Sequence, residues 1–167
     1  MSHAVITMAA DPDRMDEVRR LFRDYSGEVD APMCFEAFDR ELDSLPGEYA
    51  APGGALLLAT EGGVAIGCAA LCRLDDESCE MRRLFVDTQH RRTGIGMQLV
   101  EAAIARAGRL GYRRLELETV PERMPVADAM YERLGFVETG RRPDGVVRRA
   151  LDLAAPDRTR LPTEEAR

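Results

Sequence analysis

The chain has 167 residues, of which 45% are hydrophobic and 32% charged, the balance of an ordinary globular domain. Its formal net charge is −7 and only 5% of its residues are aromatic, so it lacks the basic surface and the stacking rings of a nucleic-acid-binding protein. Its apolar runs, such as residues 55–59, are far shorter than the roughly 20 residues that span a bilayer, and we expect no membrane partner.

The first half of the chain predicts a strand, two helices and a hairpin. Residues 4–8 are a short apolar run that ends at Asp11-Pro12, which is typical of a first strand. From Asp13 to Tyr25 apolar residues recur every three or four positions, and residues 34–45 repeat this pattern more weakly, so we expect two amphipathic helices. Residues 55–60 and 64–73 flank Glu61-Gly62-Gly63 and predict a β-hairpin.

The second half predicts four strands and two helices. Residues 79–86 and 115–119 predict strands on either side of a long helix, at about 95–110. The inward side chains of that helix are expected to be Ile95, Leu99, Ala103, Ile104 and Ala107. A short helix from Pro125 and strands at 136–140 and 146–153 complete the pattern. The order β-α-α-β-β-β-α-β-α-β-β predicts one α/β domain with a mixed sheet over residues 1–153, followed by a loose tail at 154–167.

The possible metal ligands are few and scattered. The cysteines are Cys34, Cys68, Cys72 and Cys79, and the histidines are His3 and His90. Because a structural zinc site needs four closely grouped ligands, we expect no metal, and we interpret Cys68 and Cys72 as small core residues. The sequence begins without a basic segment followed by a long apolar stretch, so we expect no secretory signal and a cytoplasmic location.

The segment Arg91-Arg92-Thr93-Gly94-Ile95-Gly96 lies between a predicted strand and a predicted helix. Glycines let a ligand approach the backbone, and the free N–H groups at a helix start favour phosphate. The two arginines add positive charge. The segment lacks the G-K-[ST] ending of a P-loop and the chain has no lysine, which argues against a P-loop nucleotide enzyme. By itself the segment is as typical of a tight turn as of a phosphate site.

Four motifs, in this order and spacing, closely resemble the GNAT superfamily of N-acetyltransferases. They are Cys-Glu-Met-Arg-Arg-Leu-Phe-Val at 79–86, Arg-Arg-Thr-Gly-Ile-Gly at 91–96, Leu-Gly-Tyr at 110–112 and Tyr-Glu-Arg-Leu-Gly-Phe at 131–136. The resemblance spans residues 79–140, the acetyl-CoA-binding half of that family. It implies a single-domain GNAT fold with a mixed, mostly antiparallel sheet of six to seven strands and about four helices.

The resemblance also implies a role for each matched residue, with acetyl-CoA as the co-substrate. The backbone of the strand end should hold the pantetheine arm and the acetyl carbonyl, through Leu84, Phe85 and Val86. The amides of the glycine-rich segment should hold the pyrophosphate, through Arg91, Arg92, Thr93, Gly94, Ile95, Gly96 and Met97. Tyr131 should protonate the leaving thiolate, and Glu80 or a water should act as general base, with Glu118 as the substitute. Met124 departs from the family, which often has an asparagine there.

Each catalytic residue also has a plain structural interpretation. Tyr131 shares a helical stripe with Ala127 and Leu134, which is equally typical of a core residue. Glu80 is equally interpreted as a solvated acid at the edge of a strand. Because Met124 removes a family contact, a non-catalytic acyl-CoA-binding or sensor module of the same fold stays open as the alternative to an N-acetyltransferase that works by direct attack in a ternary complex.

The acidic segment is the one feature that bears on the acceptor. Residues 24–48 contain eight acids and one base, Arg40, which accounts for the whole net charge. Such a segment would attract a cationic amine through its long-range electric field. The same acids are equally typical of the solvent-exposed face of two amphipathic helices. We therefore expect a small-molecule or peptide amine acceptor, with cationic amines among the candidates. We also expect a monomer or a homodimer that pairs through a strand such as 146–153.

Overall fold

Four helices and a seven-stranded sheet make up the described part of the chain. The structure, a computed structural model, describes residues 4–9, 11–28 and 35–153. Its elements are β1 (Val5–Met8), α1 (Met15–Glu28), α2 (Phe35–Ser44), β2 (Ala55–Glu61), β3 (Val64–Arg73), β4 (Ser78–Val86), α3 (Ile95–Arg109), β5 (Arg114–Thr119), α4 (Pro125–Arg133), β6 (Val137–Arg141) and β7 (Val147–Asp152). The element order and the fold class predicted from the sequence are confirmed. The predicted tail at 154–167 and Cys34 lie outside the described residues.

The strands form one sheet in the order β1-β2-β3-β4-β5-β7-β6. Every neighbouring pair is antiparallel except β4 and β5, which run parallel. This order makes β7 an interior strand, because it pairs with β5 on one side and with β6 on the other. A second copy could not pair with residues 146–153 without displacing β6, and within residues 4–9, 11–28 and 35–153 the outermost strands of the sheet are β1 and β6.

An apolar cluster lies on each face of the sheet. On one face α1 and α2 pack on β2, β3 and the end of β4 through residues such as Val18, Leu21, Phe22 and Leu42. On the other face α3 and α4 pack through residues such as Leu99, Val100, Ala103 and Tyr131. A fully buried apolar side chain of this size contributes roughly 1.5–3 kcal/mol, so these two interfaces hold the helices on the sheet.

Side-chain burial follows the predicted pattern with one exchange. On α3 the fully buried residues include Val100, which the sequence analysis did not place inward, whereas Ile104 is only half-buried. Cys68 and Cys72 are buried in the core, as predicted, and so is Cys79. Among the described residues there is no helix long and apolar enough to cross a membrane.

Candidate active site

The parallel strands β4 and β5 separate partway along their length. They pair only over the first three residues of β4, Ser78–Glu80, which lie opposite Arg114–Glu116. Beyond Glu80, β4 stays paired with β3, but its other edge has no pairing with β5. The backbone N–H and C=O groups along that edge are therefore available to a ligand, which is unusual for a strand in the middle of a sheet.

A β-bulge in β4, next to this gap, turns the side chain of Arg83 to the face of the sheet on which Arg82 lies. Arg83 and Leu84 together lie opposite Ala69 of β3, and Arg83 has a positive φ of 60°. The Arg83 guanidinium lies between the Tyr25 and Phe38 rings, 5.6 and 5.4 Å from their centroids, so it faces α1 and α2. The bulge thus brings Arg83 to the same face of the sheet as Arg82.

The gap opens into a cavity of about 330 Å³. Its walls come from α1, α4 and three strands: Tyr25, Glu80, Met81, Arg82, Arg83, Leu84, Leu117, Glu118, Met124, Tyr131 and Arg148. The cavity therefore brings together the predicted residues Glu80, Leu84, Glu118 and Tyr131, with Met124 beside them. The sequence analysis missed the three arginines and Tyr25. An Arg-Arg pair inside an otherwise apolar strand was the available signal for two of them.

Tyr131 reaches the cavity from α4 and is 6% exposed. Its ring packs edge-on against Phe136, and among the described residues its hydroxyl has no hydrogen-bond partner. Burial raises the pKa of the Tyr131 phenol well above its ordinary value, and the nearby Tyr25 and Asp128 raise it further. The phenol is therefore a protonated donor at physiological pH, free to hydrogen-bond to a ligand in the cavity.

Glu80 is equally buried, but both of its carboxylate oxygens are in ion pairs. Oε1 accepts a hydrogen bond from Arg82 Nε at 2.5 Å, and Oε2 lies 3.5 Å from Arg148 Nη2. The same Arg148 nitrogen donates to Glu118 at 2.9 Å. Glu80 and Glu118 therefore belong to one network of alternating charges at the cavity wall, and Glu118 is the more exposed of the two.

The glycine-rich segment, residues 91–96, forms the turn before α3 and the first two residues of that helix. Gly94 has a φ of 85° and precedes the helix, whose first backbone hydrogen bond runs from Gln98 N to Gly94 O. A Cβ added at Gly94 would meet nothing within 4 Å, and one at Gly96 only Val86 Cγ2 at 3.9 Å. Since space above these amides is open, the turn has the free N–H groups and the access that a phosphate needs.

The two arginines of this segment differ. Arg91 donates to the Val86 carbonyl at 3.0 Å, pairs with Glu28 at the end of α1, and stacks over Phe85. Arg92 is exposed, has a φ of 63°, and has no partner among the described residues. Of the two, only Arg92 has a guanidinium with no partner at all among the described residues. Thr93 is also exposed, Ile95 is buried, and Gly96 and Met97 are half-buried.

Arg149 holds α4 against β7. Its buried guanidinium donates to Asp128 Oδ1 at 2.8 Å and Oδ2 at 3.3 Å, to Glu132 at 3.0 Å and to the Phe136 carbonyl at 3.3 Å. Asp128 and Glu132 lie three residues before and one residue after Tyr131. These four contacts fix the turn of helix from which Tyr131 reaches the cavity.

Several acids of the acidic segment are paired with arginines near the cavity. Glu28 pairs with Arg91, Glu48 with Arg82, and Glu41 with Arg83. Glu41 also accepts a hydrogen bond from the Tyr49 hydroxyl. Among the described residues, these three acids therefore balance arginines of β4 and of the turn before α3.

Comparison with known proteins gives one consistent result. Residues 15–136 match the acetyltransferase (GNAT) family. An uncharacterized N-acetyltransferase of Schizosaccharomyces pombe is 32% identical over 130 residues, which cover 77% of this chain and 79% of that protein. An acetyltransferase of the GNAT family from Staphylococcus aureus superposes with a TM-score of 0.77 at 20% identity, over 91% of this chain and 100% of that one. The yncA protein of Salmonella typhimurium, solved with its cofactor acetyl-CoA, superposes with a TM-score of 0.73 at 21% identity, over 94% and 99% of the two chains.

Proposed function

Because the chain belongs to the acetyltransferase (GNAT) family, we propose that it transfers the acetyl group of acetyl-CoA to a primary amine by direct attack in a ternary complex. Membership in the family makes it an acetyl-CoA-dependent acetyltransferase. The amine acceptor, the direct attack and the catalytic residues are our proposal. The observation that carries it is the gap between β4 and β5, where an unpaired strand edge, a free phenol and a charged cavity wall meet.

The cofactor side of the proposed site is the face that carries α3. The amides of residues 91–97 and the Arg92 guanidinium would hold the pyrophosphate, since the space above Gly94 and Gly96 is open. The free edge of β4 at Leu84, Phe85 and Val86 would hold the pantetheine arm, and a strand N–H there would stabilise negative charge on the acetyl oxygen. Bound acetyl-CoA would supply an activated thioester.

Tyr131 is the proposed general acid. The departing thiolate, whose conjugate acid has a pKa of about 8.5, develops negative charge that a donor held beside it stabilises by a hydrogen bond and can neutralise with its proton as the C–S bond breaks. Tyr131 meets the need because it lines the cavity, stays protonated and has a hydroxyl with no partner among the described residues. No step requires a covalent enzyme intermediate.

The acceptor must lose a proton before it attacks, since an alkylamine with a pKa of about 10.4 is almost fully protonated at neutral pH. The guanidiniums of Arg82, Arg83 and Arg148 lower the pKa of an amine bound among them, because like charges disfavour its protonated form. We propose that a water in the cavity takes the proton from the acceptor amine and passes it to Glu80. Glu118 is the alternative carboxylate for this role. Both oxygens of Glu80 are ion-paired, which supports a relay through water rather than direct contact.

The test combines acetyl-CoA binding by calorimetry with thiol release over a panel of amines. We expect binding, and release only when an amine is present. Tyr131→Phe should lower kcat by about 100-fold or more and leave acetyl-CoA affinity nearly unchanged. Tyr112→Phe is the matched control, because Tyr112 donates to the Gly53 carbonyl away from the cavity, and its kcat should stay close to that of the native protein.

The same experiment separates the proposal from its rival. Acetyl-CoA binding without thiol release for any amine would favour a non-catalytic binding module, which the apolar Met124 in the cavity wall supports. No response to acetyl-CoA at millimolar concentration would contradict both. Equal kcat values for Tyr131→Phe and the native protein would reject Tyr131 as the acid.

A further inference from the structure

One part of the sheet surface is charged and, in the part of the chain that the structure describes, lies outside the apolar cluster under α1 and α2. The apolar cluster under α1 and α2 takes its strand residues from β2, β3 and β4, and none from β5, β6 or β7 among the described residues. On the same face, β4, β5 and β7 carry alternating acids and arginines. We call this the charged face, and it consists of Glu80, Arg82, Glu116, Glu118 and Arg148.

The register of the strands makes this face. Leu115 and Leu117 of β5 point into the α3 cluster, so Glu116 and Glu118, which alternate with them, point to the other side. Arg148 of β7 lies directly opposite Glu118 of β5. Its Nη1 is 3.6 Å from Glu116, and its Nη2 is 2.9 Å from Glu118 and 3.5 Å from Glu80. The charged face is therefore continuous with the cavity.

The acidic segment predicted a negatively charged acceptor site, whereas the cavity is lined by charges of both signs. Three arginines and two glutamates line it. The acids of segment 24–48 nearest to it, Glu41 and Glu48, already pair with Arg83 and Arg82. The cavity wall therefore presents guanidiniums beside carboxylates, and an acceptor that brings only positive charge would leave the remaining guanidinium donors without a partner.

Two guanidiniums retain donors for an anion. Arg82 uses Nε for Glu80 and Nη1 for Glu48, and its Nη2 has no partner among the described residues. Arg148 directs Nη1 and Nη2 to glutamates, while its Nε has none in the same part of the chain. Both side chains are about one-third exposed, so a ligand in the cavity can reach them.

We propose that the acceptor is an amino-acid-like amine, in which a carboxylate adjacent to the amine binds Arg82 and Arg148 while the amine lies between Glu118 and Tyr131. This inference rests on the proposed acetyl transfer. A zwitterion fits such a site because it offers one group to each sign of charge, and a carboxylate on a guanidinium forms a strong charge-assisted hydrogen bond. A diamine or polyamine has no group for the arginines.

Matched acceptors test this proposal. With acetyl-CoA saturating, thiol release is measured for a set of L-amino acids, for the primary amides of the same amino acids, and for diamines of similar length. Removal of the negative charge lowers the pKa of the adjacent amine, so the amides have the larger fraction of free base at neutral pH and would react faster on chemical grounds alone. A preference for the acids therefore reports on the binding site.

We expect kcat/KM to be about 10- to 100-fold higher for the best amino acid than for its amide, as for the loss of one charge-assisted hydrogen bond. Amides or diamines that equal or exceed the acids would overturn the proposal, while acetyl transfer itself would stand. No transfer to any of the three classes would contradict the proposed function, and this inference with it.

A variant locates the preference in the charged face. Arg148→Gln should reduce the acid-to-amide ratio to near 1, mainly by raising KM for the acid, whereas Arg141→Gln, an exposed arginine on β6, should leave the ratio unchanged. Arg82→Gln should act in the same direction and serves as a second variant if Arg148→Gln is poorly folded. Thermal unfolding and acetyl-CoA affinity verify that each variant is folded. A ratio that persists in both cavity variants would contradict the assignment.

Discussion

Tyr131 and Glu80 are buried to the same degree, yet their surroundings give them opposite chemical characters. The Tyr131 hydroxyl has no partner among the described residues and lies against apolar rings, so it keeps its proton and can donate it to a ligand. The Glu80 carboxylate is bound on both sides by guanidiniums. The first group is suited to give a proton. The second is held in place by arginines at the cavity wall, which fits its proposed role of receiving a proton through a water.

The raised pKa of Tyr131 predicts how kcat and the stability of the fold change at alkaline pH. Because the folded-state pKa lies above the ordinary value of 10.0, the acid stays protonated at pH 10, and kcat should show no descending limb near that pH. The same shift stabilises the fold fully below pH 10, and this contribution is lost as the pH rises above it. Tyr49 acts in the same direction, since burial and its hydrogen bond to Glu41 raise its pKa.

Two measurements check this prediction. The kcat profile is followed up to pH 10, and the free energy of unfolding is followed from pH 8 to pH 11 by denaturant titration. We expect no descending limb of kcat up to pH 10. The unfolding free energy should begin to decrease above about pH 9, because burial also raises the pKa of the Cys68, Cys72 and Cys79 thiols, and should decrease further above about pH 10 as the two tyrosines contribute. A descending limb of kcat with an apparent pKa near 10 that disappears in Tyr131→Phe would show instead that the phenol titrates normally.

At the scale of the helix, α4 owes its position to one buried arginine more than to apolar contact. Tyr131 is its only fully buried residue, whereas Arg149 bonds to Asp128, Glu132 and the Phe136 carbonyl. Hydrogen bonds to these two acids raise the pKa of Arg149, so the clamp stays charged. Arg149 is therefore a positioning residue for Tyr131.

Removal of this clamp should affect catalysis more than cofactor binding. Arg149→Met leaves Asp128 without its partner and should lower the free energy of unfolding by about 3 kcal/mol. Below its unfolding temperature we expect kcat to decrease about 10-fold or more with little change in acetyl-CoA affinity. Arg149→Lys should recover part of kcat, and Arg141→Met is the exposed control. Native kcat in a destabilised Arg149→Met would show that the clamp is structural only.

The first turn of α3 allows stability and binding to be separated. A Cβ at Gly96 has room in the protein, so Gly96→Ala should leave stability unchanged or raise it by up to about 1 kcal/mol. If phosphate approaches these amides, the added methyl group occupies its place, and the Kd for acetyl-CoA should rise about 10-fold or more.

Gly108→Ala is the matched control, because Gly108 lies in the same helix, also in open space, near the opposite end. We expect a similar stability change there and an unchanged Kd. Calorimetry and thermal unfolding of the two variants give the comparison. Equal affinity in Gly96→Ala and the native protein would place the pyrophosphate elsewhere.

For the whole molecule, local patterns predicted the elements well. The hairpin around Gly62-Gly63, the helical stripe of α1 and the start of α4 at Pro125 follow from spacing and from turn residues within a few positions. Such signals carry no information about which strands lie side by side. The interior place of β7 therefore could not be predicted from the alternation of residues 146–153.

The candidate site could also be predicted only in part, because local patterns do not show which strands lie side by side. Tyr131 and Glu80 lie in motifs that resemble a family, and Glu118 was named as the substitute base because it lies at the end of the neighbouring predicted strand. The partners of Glu80 come from positions 82 and 148, which meet only through the register of β4, β5 and β7. The pairing of Arg91 with Glu28 joins the turn before α3 to the end of α1, and the sequence does not reveal that these two segments meet. Pairings of charges over such separations depend on tertiary structure.

The most direct measurement is a crystal structure of the full chain with acetyl-CoA bound. We expect the pyrophosphate within hydrogen-bond distance of amides among residues 91–97, the pantetheine along the free edge of β4, and the thioester sulfur within reach of the Tyr131 hydroxyl. Acetyl-CoA bound away from the gap between β4 and β5, or with its sulfur far from Tyr131, would contradict the proposed site.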